Sequence, residues 1–107
     1  MGRSGARSAA GLAVARDALT ARRRLHVHYA NEKGEESEGT VRPLGVFFWG
    51  KTWTLAAWCE MRTGFRNFRL DRISEARLGD CFEEEPGRTL RDMLLRYCPA
   101  AVKLLDR

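Results

Sequence analysis

The sequence predicts a mainly β domain with flanking helices, an α+β arrangement in which about five short strands form a small barrel between an N-terminal helix and a short C-terminal one. Three observations carry this expectation. Apolar and polar residues alternate from Leu25 onward, the period of a half-buried strand, and extended blocks recur as far as Leu78. Turn residues at Lys33-Gly34, at Gly50-Lys51 and from Arg62 to Gly64 break these blocks into short strands with tight connections. Helical spacing is confined to the two ends of the chain.

Met1 to Gly11, with Gly2, Ser4, Gly5, Ser8 and Gly11, reads as a flexible lead-in. Leu12, Ala15 and Leu19 then recur at helical spacing, and the helix is expected to end near Arg22 to Arg24, where arginines suit the negative end of its dipole. Leu25, Val27 and Tyr29 alternate with His26 and His28 in the first strand. Asn31 to Glu38 is a polar hairpin connection. Gly39 to Trp49 is extended, but Pro43 and Gly45 favour an edge position or a bend over a flat central strand.

Thr52 to Cys59 is the clearest strand, with Trp53, Leu55, Ala57 and Cys59 on one face and Thr54, Ala56 and Trp58 on the other. Phe65 to Leu70 and Ile73 to Leu78 supply the last two strands. Thr89 caps an amphipathic helix carrying Leu90, Met93, Leu94 and Tyr97; Asp92 stands three residues after the cap, and Pro99 forces the helix to end. These elements divide the chain into a lead-in over 1–11, a barrel with its helix over 12–82, and an acidic loop with a helix packing on or near the barrel over 83–107.

At 107 residues and 44% hydrophobic content, the chain has material for one modest core. It contains no run of 18 apolar residues and no apolar signal-peptide region near Met1, so a cytoplasmic protein without a membrane partner is expected. Cys59, Cys81 and Cys98 are odd in number and far apart, which suits reduced, partly buried thiols better than a disulfide framework or a zinc site. A formal net charge of +5 favours an anionic partner. The first 31 residues carry six arginines against Asp17, whereas the following hairpin is acidic.

The stretch Trp53-Thr54-Leu55-Ala56-Ala57-Trp58-Cys59, followed by Arg66-Asn67-Phe68-Arg69-Leu70-Asp71-Arg72-Ile73, resembles the WYL domain family. That family is named for a Trp-Tyr-Leu strand, with an Arg-x-Phe-Arg-x-Asp-Arg-Ile-like segment after it. Tyr29 and Arg42-Pro43 match its upstream landmarks, and the resemblance spans roughly residues 22–82. Thr54 stands where the naming tyrosine would be, so any role of that phenol is not carried over.

The resemblance implies an Sm-like, SH3-type barrel serving as the ligand-sensing domain of a bacterial transcription regulator. The implied effector is anionic, a single-stranded nucleic acid or a nucleotide. With no helix-turn-helix-sized segment beside the barrel, the chain is expected to be a sensor cut from a longer regulator or a stand-alone relative.

The candidate ligand residues are Arg42, Arg66, Arg69, Arg72, His28, Tyr29 and Trp58. Guanidinium groups suit phosphate through paired charge-assisted hydrogen bonds, and an outward Trp58 would stack on a base unless a terminal helix covers it. Arg66, Arg69 and Arg72, three residues apart, do not share one face of a regular strand; a bulge or a turn at Asp71 would bring two of them together. The competing reading ties Arg69 or Arg72 to Asp71, Glu60 or Glu75. His26 and His28 point the same way, yet no third ligand is placed for a metal.

No catalytic constellation is present: Glu83-Glu84-Glu85 fan out around the chain and do not frame a bond, and neither a phosphate loop nor a nucleophile elbow occurs. A binding domain that is not an enzyme and needs no cofactor is therefore expected. The alternative is a protein-interaction module, a homodimer formed through the barrel edge or through Phe47, Phe48 and Trp49.

Overall fold

The computed structural model of the chain describes residues 3–102. Helix α1 (Arg3–Ala21) is followed by strands β1 (Arg23–Ala30), β2 (Glu36–Phe48), β3 (Trp53–Cys59) and β4 (Gly64–Arg69). A 3-10 turn (Leu70–Arg72) leads into β5 (Ile73–Cys81), and helix α2 (Leu90–Tyr97) follows after a loop. All neighbouring strands are antiparallel in one sheet of order β4-β3-β2-β1-β5.

The edges of this sheet are joined by only three residues. In a flat five-stranded sheet the outer strands would stand about 19 Å apart, whereas a single 3-10 turn rises about 6 Å. The sheet must therefore curl. Register shifts supply the bends: one between Pro43 and Gly45 in β2, and two in the β1–β5 pairing. The curl stops short of the expected closed barrel, because no pairing joins β4 to β5 among the described residues. Helix α1 instead packs against β5 and the 3-10 turn.

Ala15 and Ala18 form the buried stripe of α1, and their small side chains let its backbone approach the sheet closely. They meet Leu25 and Val27 of β1, Val41 of β2, Leu55, Ala57 and Cys59 of β3, Phe68 of β4, and Leu70 and Ile73 beyond it. This is the face assigned to β3 by alternation. The other face is covered as well: Ala56 and Trp58 are buried, with Arg88 over the Trp58 ring and Leu90 of α2 beside Gly45 of β2. Thr89 accepts from the Asp92 amide while the Asp92 carboxylate accepts from the Thr89 amide, completing the expected capping box.

Several expectations are corrected. The lead-in expected to be flexible over 1–11 is helical from Arg3, where Ala6, Ala9 and Ala10 supply enough helix propensity to outweigh Gly5 and Ser8. The helix ends before the arginine run. Arg22 takes a left-handed conformation (φ 52°) that turns the chain, and Arg23 and Arg24 already belong to β1.

Of the two outcomes expected from Pro43 and Gly45, an edge or a bend, the structure takes the bend: β2 is the central strand, and a bulge between these residues accommodates the proline. Of the three free thiols only Cys59 is buried.

Candidate ligand-binding site

Strand β4 aligns Arg66 with Ala57 and Phe68 with Leu55, so both side chains belong to the concave face of the sheet. Tyr29 reaches the same place from the end of β1. In sheet order β1 and β4 are three strands apart, a flat distance of about 14 Å. The curl nevertheless brings the Tyr29 and Phe68 rings to a centroid distance of 4.9 Å, edge to face. The Arg66 guanidinium lies over both, 5.6 Å from the Tyr29 centroid and 5.3 Å from that of Phe68.

An open hollow of about 270 Å³ lies here, lined by Tyr29, Ala30, Asn31 and Glu32 on one side and by Arg66, Asn67, Phe68, Arg69 and Arg72 on the other. The 3-10 turn at Leu70–Arg72 interrupts the strand alternation after Arg69, and all three arginines line one cavity. Arg69 is held by Asp71: Nε and Nη2 donate to the two carboxylate oxygens at 3.1 and 2.7 Å. The hydrogen bond from Arg69 holds the Asp71 carboxyl below the usual carboxylate range, outweighing the upward push of burial. Neither Arg66 nor Arg72 forms an ion pair among the described residues.

The remaining candidates lie elsewhere. Arg42 is 8% exposed and locked in place, with Nε donating to Glu60 at 2.8 Å and Nη1 to Glu85 at 2.7 Å. Glu60 also accepts from Arg24 Nε at 2.6 Å. Burial would raise the Glu60 carboxyl, but the hydrogen bonds from the two arginines win and hold it below its ordinary value. Trp58, in register with Arg42 across β2–β3, is 9% exposed. Phe65 packs edge-on to it at 5.1 Å and the Arg88 guanidinium lies 4.8 Å from its ring centroid, so it has no free face on which to stack a base.

His28 lines a second hollow of about 540 Å³ with His26, Glu38, Glu60, Glu75 and Arg77 among others. Size alone would favour this cavity, but the carboxylates give it the wrong sign for an anion. His28 Nε2 lies 3.4 Å from Glu36, and His26 Nδ1 shares a hydrogen bond with Thr40 at 2.8 Å. Among the described residues, no three His, Cys, Asp or Glu side chains are placed to hold a metal.

Residues missed by sequence reasoning are Ala30, Asn31, Glu32, Asn67 and Phe68. Asn67 and Phe68 stand between two chosen arginines and were within reach of the motif. Asn31 is recognisable as a turn former: its Oδ1 accepts from the amides of Lys33 and Glu35 at 2.9 and 3.0 Å. Its proximity to β4 depends on the curl and left no local signal.

A curled, helix-packed antiparallel sheet agrees with the comparisons to known proteins. The model of the WYL domain family matches residues 10–78, and the chain belongs to that family. Among solved structures it is similar to the proteasome accessory factor B/C (PafBC) of Arthrobacter aurescens, with 28% identity and a TM-score of 0.62 over 82% of this chain. The chain spans 13% of the length of that protein. No curated protein matches it. No helix among the described residues is long and apolar enough to cross a membrane.

Proposed function

We propose that the chain is the ligand-sensing domain of a bacterial, cytoplasmic transcription regulator, and that the hollow between Tyr29 and Arg72 receives an anionic effector, a single-stranded nucleic acid or a nucleotide. The observation that carries this reading is Arg66, a guanidinium over two aromatic rings with no carboxylate partner among the described residues, beside Arg69 and Arg72. Such a group is held in place by packing while its charge stays available to phosphate. In this reading the curled sheet is an Sm-like barrel of incomplete closure, and the domain acts as a binder, without catalysis. In the full regulator, binding shifts the balance between two arrangements by favouring one of them.

The test is fluorescence anisotropy with a short labelled oligothymidylate at low and moderate salt, using the chain and its Arg66→Ala/Arg69→Ala double variant. Saturable binding that the folded double variant loses supports the site. Absence of binding at micromolar protein removes single-stranded nucleic acid as the effector, and the same titration with a nucleoside triphosphate then tests the nucleotide.

A second reading, a homodimerising interaction module, rests on one observation: Phe48 and Trp49 at the β2–β3 turn are 54% and 70% exposed. It requires an oligomer in solution, which a mass measurement decides.

A further inference from the structure

We propose that Asp71 competes with the ligand for Arg69 and thereby sets how much negative charge the hollow accepts, an inference that rests on reading the hollow as an anion site. Asp71 takes the Nε and Nη2 hydrogens of Arg69, one of the paired forks with which a guanidinium grips a phosphate. Arg69 lines the hollow and Asp71 does not, so the carboxylate draws the guanidinium from outside the cavity. Glu32, which lines the hollow, also acts on Arg69 through its charge.

Three guanidinium groups therefore stand against two carboxylates, which leaves one surplus positive charge. That surplus matches a single phosphodiester link. A terminal phosphate, carrying about −1.5 to −2 at neutral pH, is opposed by both carboxylates and gains the occupied fork of Arg69 only by displacing Asp71. The face of Tyr29 is already covered by Arg66, and Phe68 is buried, so recognition rests on the phosphate and leaves the base largely unread.

The test compares the chain with Asp71→Asn, which preserves shape and removes the charge, by anisotropy over a salt series. The probes are one oligothymidylate with and without a 5′-terminal phosphate. Glu75→Gln, on β5 and lining the other hollow, removes the same charge away from the site. Competition predicts that Asp71→Asn binds both probes about threefold more tightly or better, with the larger gain for the phosphorylated one and a steeper salt dependence. Glu75→Gln stays close to the parent chain.

Weaker or unchanged binding by Asp71→Asn overturns the proposal and makes Asp71 a brace that positions Arg69. An equal gain in Glu75→Gln overturns it in favour of net charge alone. If none of the three proteins binds either probe or a nucleoside triphosphate, the anion-site reading itself fails and the competition falls with it.

Discussion

Two arginine clusters in this domain have opposite characters. Around Glu60, the guanidinium groups of Arg24 and Arg42 converge on one carboxylate oxygen, Glu85 closes the far side of Arg42, and Phe82 lies under it. The hollow at Tyr29 holds three guanidinium groups, of which only Arg69 is ion-paired among the described residues. The difference lies in cover and carboxylate supply. The segment from Phe82 to α2 brings Glu85 and Arg88 onto the outer face of β2 and β3, whereas nothing comparable among the described residues lies over Arg66. An arginine inside a family motif is thus no guide to whether it binds or braces; the carboxylates within reach decide.

The largest effect that would sharpen this contrast is in the covered cluster. Trp58→Ala is expected to lower unfolding free energy by about 3 kcal/mol or more, read by urea denaturation, because it empties space under Phe65 and Arg88. Arg42→Ala is expected to cost about 2 kcal/mol, since it strips a nearly buried charge from Glu60 and Glu85, two partly exposed partners whose screening discounts the loss.

Arg66→Ala should do the reverse: oligonucleotide affinity falls about tenfold, while stability changes by less than about 1 kcal/mol. A melting loss in Arg66→Ala equal to that in Arg42→Ala would erase the distinction between the clusters.

Acid should also test the covered cluster. Glu60 and Glu85 are both held below their ordinary carboxyl range in the fold, so their pairing contributes stability above the unfolded value of about 4.3 and loses it as pH falls through the lower folded values. The parent chain should therefore lose stability on acidification below about pH 4 more steeply than Glu60→Gln. The smallest expected effect is in salt dependence. Each arginine removed from the hollow should reduce the slope of log affinity against log salt by about 0.7 for a single strand, whereas Arg42→Met should leave it unchanged.

Much of this was legible in the sequence because local rules were sufficient. The alternation at Leu25, Val27 and Tyr29 and at Trp53, Leu55, Ala57 and Cys59 named the buried faces, and Thr89 with Asp92 named a helix start; both patterns depend on residues a few positions apart. The arginine segment from Arg66 to Arg72 carried the family resemblance and most of the hollow. Arg42 and Trp58 were legible as landmarks but not as structural elements, because Glu85 and Arg88, the groups that enclose them, arrive from beyond residue 80.

By itself, then, the sequence determined the strand order along the chain, the core faces of β1 and β3, the family resemblance and a candidate set that contains the three arginines of the hollow. Tertiary structure alone decided that β2 is central, that Tyr29 meets Phe68 across three strands, and that Arg42 is braced while Arg66 is not. The physical reason is range. Periodicity and capping act within a few residues, whereas curl and charge pairing depend on bulges and on partners more than 40 positions away, as Arg42 and Glu85 are.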